Sequence, residues 1–337
     1  MLVTINLRVC CTGLLLPPRP GGEKQAGAAG RQVYCSRNMT IRKGSTRIML
    51  EKVVLELEWE PAAAKTEELE EGLALYQVKL ERGISEETLT GNGIVYITDR
   101  PDAVRERAGK DACILLFLTE GNRSGDWKDI PYAVESLEGL DGDFLEKVYQ
   151  RHIGEPWEIL ETERLLVREM AEGDLEALYR IYDQADAGDF LDRLSADREE
   201  ERAYMKSYIE KAYPFFGFGI WMLVEKECGR CVGRAGFCRR EGFAYPELGF
   251  IVAKKEQRKG YCLEACTALL EYGFRELEFE GIQALVVEGN RASEEICRRL
   301  GGHLAENICW KGKNCLRFVW EAGQPLSSVD VMGARKL

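Results

Sequence analysis

The chain contains 337 residues, of which 45% are apolar and 31% are charged, and its formal net charge is −11 at pH 7. This length predicts two folded domains, and the apolar fraction is sufficient for packed cores. The negative charge, without a long basic stripe, argues against nucleic acid as the main partner and favours cationic substrates such as amines. No apolar run reaches about 18 residues, so the sequence predicts no membrane-spanning helix.

Residues 1–48 are predicted to form a disordered or non-native extension. The run Pro17–Gly22 and the Gly/Ala-rich stretch after it show no helical or strand periodicity. The opening apolar run is short and is interrupted by Arg8, so it does not predict a signal peptide. Met39 and Met49 are alternative natural starts, and the sequence leaves this choice open.

The chain has twelve cysteines but only two histidines. Cys228 and Cys231 have a spacing that suits zinc binding or redox chemistry. A zinc site needs two further ligands, and no second pair stands at metal-finger spacing. Because Gly229 lies between the two cysteines and predicted strands flank them, a hairpin turn is the preferred interpretation. The other cysteines are predicted to be small buried side chains in a reduced, cytoplasmic protein without a metal site.

A first folded unit is predicted over residues 49–156, because strand and helix patterns alternate there. Such alternation is typical of a small parallel α/β sheet of the Rossmann type. The predicted elements, in chain order, are a helix over Glu68–Arg82, a strand over Gly93–Thr98, a helix over Pro101–Ala108, strands over Ala112–Leu118 and Tyr132–Glu135, and a helix over Gly142–His152.

This first unit loosely resembles the Rossmann-like half of haloacid-dehalogenase-type phosphatases. The resemblance rests on Thr98-Asp99 at a strand end, the helix that begins at Pro101, and the segment Tyr132–Leu137. The family's nucleophilic Asp-x-Asp strand has no counterpart, and Asp141-Gly142-Asp143 stands where a helix N-cap is expected. Phosphoryl transfer without a nucleophilic aspartate lacks its covalent intermediate. A degenerate packing or recognition domain is therefore predicted, and the alternative, a metal-dependent phosphatase, is not expected.

A second unit is predicted over residues 157–323, followed by a loose polar tail over residues 324–337. Its elements, in chain order, are an edge strand over Thr162–Glu169, helices over Leu175–Tyr182 and Glu201–Ala212, a hairpin of Ile220–Lys226 with Cys231–Phe237, a buried strand at Leu248–Val252, a charged loop over Lys254–Lys259, a helix from Gly260, a strand over Ala284–Glu288, a helix opened by Asn290, and a closing pair of His303–Trp310 with Asn314–Trp320.

The charged loop is the stretch around which the second unit is organised. It follows a buried strand and leads into a long amphipathic helix, so unpaired backbone N–H groups and the positive end of the helix dipole meet there. Arg258 and Lys259 add two full positive charges at the same place. The arrangement predicts an anion-binding site.

The residues of this loop resemble those of the GNAT-type N-acetyltransferases. Gln257–Cys262 fits the family's Q/R-x-x-G-x-G/A signature, with Cys262 at a position that is normally Gly or Ala, and Asn290, Ser293 and the pair Leu300-Gly301 follow at the family's spacing. The order Thr-x-Arg-Leu-x-x-Arg at Thr162–Arg168 is similar to the ribosomal-protein N-terminal alanine acetyltransferase subgroup. The resemblance implies a mixed, mostly antiparallel sheet flanked by helices.

The resemblance also implies which residues would bind the coenzyme, acetyl-CoA, as a co-substrate. The backbone of the strand before the loop would pair with the pantetheine arm, the loop would hold the pyrophosphate, and the next helix start would contact the coenzyme arm. The implied coenzyme-binding residues are Phe250, Ile251, Val252, Gln257, Arg258, Lys259, Gly260, Tyr261, Cys262, Asn290 and Ser293.

Two catalytic residues are candidates. Glu247 stands where relatives often carry an acidic residue near the acceptor amine, so it is the candidate general base; a surface or structural carboxylate is the alternative, and Tyr245 is a nearby substrate-orienting candidate. Ser293 is a candidate hydrogen-bonding partner near the coenzyme sulfur, with helix capping as its alternative. The family's usual tyrosine acid is replaced by Cys297, for which packing is preferred over proton donation.

The resulting prediction is an acetyl-CoA-dependent N-acetyltransferase that acts on a primary amine by direct attack on the thioester. The acceptor is a small-molecule amine or a protein N-terminus, with no nucleic acid and no membrane as partner. The expected assembly is a monomer or a homodimer. The alternative is a catalytically weak regulatory protein that binds acetyl-CoA.

Overall fold

The computed structural model describes residues 5–9, 33–37, 49–58, 63–89, 91–127, 129–184 and 194–323. The chain divides into two compact units, one with most residues up to Trp157 and the other with most residues from Glu158 onward. Within residues 1–48, the structure describes an antiparallel pair of strands, β1 (Ile5–Val9) and β2 (Val33–Arg37). The rest of that segment and the tail over residues 324–337 lie outside the described residues.

The first unit contains a five-stranded parallel sheet with helices on both faces, which confirms the predicted α/β class. Its elements are β3 (Lys52–Glu56), α1 (Ala63–Ala74), β4 (Lys79–Arg82), β5 (Ile94–Thr98), α2 (Pro101–Ala108), β6 (Cys113–Phe117), β7 (Ala133–Val134) and α3 (Gly142–His152). The strand order β4-β3-β5-β6-β7 is the flavodoxin-like doubly wound order. The resemblance to haloacid dehalogenases stays a hypothesis.

Two hydrophobic clusters cover the two faces of this sheet. Helices α1 and α3 pack Leu69, Leu73 and Leu145 on one face. Helix α2 packs Val104 on the other face. The strands of a parallel sheet are buried on both faces, so β5 and β6 consist of continuous apolar runs in the sequence.

The prediction of one helix over Glu68–Arg82 is wrong. Helix α1 ends at Ala74, and Gln77 has a φ of +61°, a left-handed conformation that no residue inside an α-helix adopts. The chain then continues as the edge strand β4. Strand β3 was not predicted, because its short apolar run lies among the charged residues Glu51, Lys52 and Glu56.

A buried carboxylate holds the beginning of the first unit. Glu146 on α3 accepts hydrogen bonds from the backbone N–H groups of Met49 at 3.1 Å and Leu50 at 2.7 Å. Gln150 donates to the same side chain at 3.0 Å. Glu146 therefore accepts hydrogen bonds from two backbone N–H groups that precede β3 and have no acceptor on a neighbouring strand.

The second unit is an eight-stranded sheet, mostly antiparallel, with helices on its faces, which confirms the predicted mixed fold. Its elements are β8 (Glu158–Glu161), β9 (Leu165–Arg168), α4 (Leu175–Gln184), α5 (Arg198–Ser207), a π-helical turn (Tyr208–Ala212), α6 (Tyr213–Phe216), β10 (Ile220–Glu225), β11 (Arg230–Cys238), β12 (Glu247–Val252), α7 (Tyr261–Arg275), β13 (Gly281–Val287), α8 (Arg291–Arg299), β14 (His303–Trp310) and β15 (Lys313–Glu321).

The strand order of this sheet is β14-β15-β13-β12-β11-β10-β9-β8. The expected edge strand at Thr162–Glu169 is thus corrected: β9 is the second strand, and β8 is the edge. Strands β10 and β11 form the predicted hairpin, in which Gly229 has a φ of +68°. The core contains the fully buried Tyr213, Trp221 and Phe237. Among the described residues, no helix is long and apolar enough to cross a membrane.

Candidate active site

Strands β12 and β13 separate at the centre of the second sheet. They are parallel neighbours, and their bridge joins Glu247 to Gln283 near the start of both strands. On its other side β12 stays paired with β11 along its whole length, from Glu247 to Val252. Beyond Glu247, the edge of β12 that faces β13 carries no strand pairing in the described chain. This edge, which includes Phe250, is available for hydrogen bonds to an extended ligand.

The loop after β12 has the backbone geometry of an anion site. A 3-10 turn at Lys254–Glu256 ends β12, and α7 begins one residue after Gly260. Arg258 has a φ of +64° and Gly260 a φ of +88°, so the chain twice enters the left-handed region just before the helix. The first N–H groups of α7 have no intrahelical acceptor, and they point out of the helix end.

The side chains of the loop differ in the contacts that they make. Gln257 Nε2 donates to the carbonyl of Val252 at 3.1 Å, which ties the loop to the end of β12. Lys259 Nζ lies 2.7 Å from Glu256 Oε2. Arg258 is exposed and makes no ion pair among the described residues. Of the two predicted cations, only Arg258 has a charge that is not already bound to a carboxylate.

The turn of the β10–β11 hairpin is fastened to this loop. Glu225 accepts hydrogen bonds from Cys228 Sγ at 3.0 Å and from the Tyr261 hydroxyl. Arg230 contacts Glu225 at 3.0 Å and Glu256 at 3.2 Å. The hydrogen bonds from Cys228 and Tyr261 lower the pKa of Glu225 to about 2. The hydrogen bond to Glu225 raises the pKa of Tyr261 to about 12.

The start of α8 shows how Asn290 and Ser293 divide their roles. The Asn290 side chain accepts a hydrogen bond from the Ser293 backbone N–H at 3.2 Å, so Asn290 is the N-cap of α8. Ser293 is half-buried in the first turn, and its hydroxyl does not cap the helix. The capping alternative considered for Ser293 therefore applies to Asn290.

Glu247 lies where β12 and β13 diverge, and it is buried. Arg240 Nε donates to Glu247 Oε2 at 2.7 Å, and Arg240 Nη2 donates to Oε1 at 3.2 Å. A forked ion pair of this kind fixes the orientation of a carboxylate as well as its charge. The ion pair with Arg240 therefore fixes the Glu247 carboxylate beside the open edge of β12.

A second series of hydrogen bonds starts from Gln283, which pairs with Glu247 across the parallel strands. Gln283 is fully buried; its Nε2 donates to the Tyr245 carbonyl at 3.1 Å, and its Oε1 accepts from Arg317 Nε at 2.7 Å. Arg317 also contacts Glu306 at 2.8 Å. The Tyr245 ring packs over Gly281, where a Cβ atom would lie 2.6 Å from the ring. These contacts keep the start of β13 close to the segment that precedes β12.

The cysteines considered as chemical groups differ in exposure. Cys297 is fully buried in the core, and burial raises the pKa of its thiol to about 12, which favours the packing role over proton donation. Cys228 is exposed in the hairpin turn, whereas Cys231 is buried in β11. No group of three or more His, Cys, Asp or Glu side chains suited to a metal ion is found in the described ranges.

Several residues of the site were not assigned a role from the sequence. Arg164 belongs to the Thr-x-Arg motif, but its partner Glu264 lies 100 residues away. Arg240, which belongs to no motif noted in the sequence, contacts Glu247 seven residues further on. No periodicity indicates such pairs. The Thr-x-Arg motif was the only available signal, and it marked Arg164 without its function.

Comparisons with known proteins agree with this geometry. A family model described as the acetyltransferase (GNAT) domain matches residues 164–303. The [ribosomal protein uS5]-alanine N-acetyltransferase of Escherichia coli is 31% identical over 153 residues, which cover 42% of this chain and 76% of that protein. The uncharacterized N-acetyltransferase YnaD of Bacillus subtilis is 28% identical over 141 residues, 42% of this chain and 79% of the relative.

Among solved structures, an acetyltransferase from Agrobacterium tumefaciens has 25% sequence identity to this chain and a TM-score of 0.41, and the match covers 48% of this chain and 93% of that chain.

The match to the acetyltransferase (GNAT) domain model lies almost entirely within the second unit. The chain belongs to the GNAT acetyltransferase family.

Proposed function

We propose that this protein is an acetyl-CoA-dependent N-acetyltransferase whose acceptor is the α-amino group of a protein N-terminus. The observation that carries the proposal is the open edge of β12 beside the loop at Gln257–Cys262. An extended amide-bearing arm can pair with that strand edge while an anionic group at its end meets the helix start. Acetyl-CoA has both features.

The residues of the site fit this coenzyme in shape and in charge. Gly260 has a left-handed backbone, and a Cβ atom there would lie 3.1 Å from Arg164 Nη2, so the loop is close-packed at its turn. Arg258 and the first N–H groups of α7 offer positive charge to the pyrophosphate. Acetyl-CoA, when bound, supplies the activated acetyl group as a thioester.

Glu247 is proposed as the general base. An amine that attacks a thioester must be neutral, and its proton must reach a base directly or through water. Arg240 holds the Glu247 carboxylate by one bond to each oxygen, which leaves further lone pairs on both oxygens for a water or an amine. Backbone N–H groups on the open edge of β12 are proposed to stabilise the negative charge that develops on the thioester oxygen.

The choice of a protein N-terminus is supported by the relative named for alanine N-acetylation of ribosomal protein uS5. The negative net charge of −11 also favours approach of a cationic terminus. A small-molecule amine remains the second candidate acceptor, because no described residue excludes it.

The test has two steps. Calorimetric titration with acetyl-CoA measures binding, and thiol release then measures turnover with short peptides that begin with alanine or serine and with polyamines. The control acceptor is the same peptide with its α-amino group already acetylated. We expect binding, turnover with the free peptides and none with the blocked one. Turnover with polyamines alone would refute the protein N-terminus as the acceptor. Binding without any turnover would favour a regulatory protein. If acetyl-CoA does not bind, the proposed coenzyme site is wrong.

A further inference from the structure

Arg164, the residue before β9, is bound to the first turn of α7. Its backbone N–H donates to Glu264 Oε1 at 2.9 Å, and its guanidinium contacts Glu264 Oε2 through Nε at 2.7 Å and through Nη2 at 2.6 Å. Thr162 Oγ1 donates to the same carboxylate at 2.5 Å. Thr162 and Arg164 thus bind one side chain of the coenzyme-loop helix, and hydrogen bonds from them lower the pKa of Glu264 although burial opposes this.

The same guanidinium also binds the backbone of the loop. Arg164 Nη1 donates to the carbonyl of Lys259 at 2.8 Å, and the guanidinium carbon lies 4.7 Å from the centre of the Tyr261 ring. Arg164 therefore contacts the residue before Gly260, the residue after it, and the helix that follows.

The contact with the Lys259 carbonyl has a directional consequence. A trans peptide unit is planar, and its C=O and N–H groups point in opposite directions. The unit that joins Lys259 to Gly260 has its oxygen held on Arg164, so the Gly260 N–H points to the opposite side of the loop. Because Gly260 has no Cβ atom, which also permits its φ of +88°, this peptide has fewer steric barriers to rotation than one before any other residue.

We propose that Arg164 is a positioning residue for the coenzyme: it fixes the peptide between Lys259 and Gly260 so that the loop N–H groups converge on the pyrophosphate. This inference rests on the proposed function, because it needs the loop to bind acetyl-CoA. Arg164 is not a catalytic residue, since it acts through the loop. Its loss weakens the recognition of the pyrophosphate and leaves the reaction of the thioester itself intact.

The experiment compares two acetyl donors. Acetyl-CoA carries the pyrophosphate, whereas S-acetyl-N-acetylcysteamine is a short thioester without it. Steady-state kinetics with both donors, and calorimetric binding of CoA, are measured for the wild-type chain and for Arg164→Ala, Arg164→Lys and Arg198→Ala. Arg198 is a matched control, because it also contacts a carboxylate, Glu176, and lies 4.5 Å from the centre of a tyrosine ring, Tyr179, but on α5.

We expect Arg164→Ala to raise the KM for acetyl-CoA and the Kd for CoA roughly tenfold, which corresponds to the loss of one good interaction. The kcat/KM for the short thioester and the kcat for acetyl-CoA should not change. Arg164→Lys should recover only part of the affinity, because an ammonium cannot bind the carboxylate and the carbonyl with a planar fork. Arg198→Ala should behave as the wild type.

Equal losses with both donors would overturn the proposal, because they would show a general structural defect. An unchanged KM for acetyl-CoA in Arg164→Ala would also overturn the proposal. In that case the proposed function would still stand, provided that the wild-type chain binds CoA. If the wild-type chain itself fails to bind CoA, the proposed function fails and the inference falls with it. If Arg164→Ala does not fold, Arg164→Lys is compared with the wild type instead. The deciding quantity is again the loss of kcat/KM with acetyl-CoA relative to the loss with the short thioester.

Discussion

Arg240 and Glu247 form a forked ion pair at the point where β12 and β13 diverge, with one hydrogen bond to each carboxylate oxygen, at 2.7 Å and 3.2 Å. Arg240 lies in the loop that connects β11 to β12, and Glu247 is the first residue of β12, so the loop provides the cation and the strand provides the carboxylate. This relationship explains why an acidic side chain is buried beside an open strand edge. It also leads to the first prediction.

Glu247→Gln should lower kcat by about 100-fold or more, because a positioned general base contributes at least that much. The Kd for acetyl-CoA should stay unchanged, since the amide keeps the shape of the side chain. Thiol release and calorimetry measure the two quantities. Glu176→Gln, which alters an exposed ion-paired carboxylate on α4, is the control. A Glu247→Gln enzyme with wild-type kcat would remove Glu247 from the mechanism.

The two cations of the loop should differ in their effect on coenzyme affinity. Arg258→Ala should raise the Kd for acetyl-CoA about tenfold, because its charge is unpaired among the described residues and is free to meet phosphate. Lys259→Ala should have a smaller effect, because the Lys259 ammonium is 2.7 Å from Glu256 and must leave it to reach a ligand. Calorimetry at two salt concentrations measures both.

Arg202→Ala, which removes an exposed positive charge on α5, is the control for this comparison. If Lys259→Ala weakens binding more than Arg258→Ala does, then Lys259 leaves Glu256 on binding and the order predicted from these contacts is wrong.

Glu225→Gln should reduce stability in a way that depends on pH. Hydrogen bonds from Cys228 and Tyr261 lower the pKa of Glu225 from 4.5 to about 2 in the folded chain. A carboxyl group whose pKa is lowered by folding contributes stability above its unfolded pKa and loses it as the pH falls through the folded pKa. The difference in melting temperature between wild type and Glu225→Gln should therefore be constant above about pH 5 and should shrink toward about pH 2.

Thermal melting across this pH range provides the measurement. Glu227→Gln alters an exposed carboxylate in the same hairpin turn and serves as the control. A difference that is the same at all pH values would mean that the effect is one of packing and not of ionisation.

Glu146→Ala should destabilise the first unit by about 1–3 kcal/mol, because it leaves the buried N–H group of Leu50 and the amide of Gln150 without an acceptor. Chemical denaturation, followed by fluorescence, measures the free energy of unfolding. Glu106→Ala on the exposed face of α2 is the matched control. Equal stability of the two variants would show that Glu146 does not hold the start of β3.

The strand and helix pattern of both units could be predicted well where local signals are strong. The helix over Gly142–His152 has an aspartate N-cap and an apolar face, and the structure confirms both bounds and the cap, in which Asp141 accepts from Phe144 N–H at 2.8 Å. The prediction of a helix over Glu68–Arg82 was wrong because the turn after α1 contains a left-handed residue, Gln77, and no glycine marks that position in the sequence.

The sequence by itself indicated Gln257–Cys262 as the candidate anion-binding loop, because an anion site at a helix start is made by consecutive residues and such local chemistry is visible in local sequence. Only the tertiary structure decided what each side chain does there. Arg164 and Glu264 are separated by 100 residues and still share a carboxylate–guanidinium contact. Glu256 is bound both by Lys259, three residues further along the loop, and by Arg230 of the distant hairpin turn, whereas Arg258 makes no ion pair among the described residues. Ion pairs between distant segments depend on how the strands are ordered in the sheet, and strand order is a property of the whole fold.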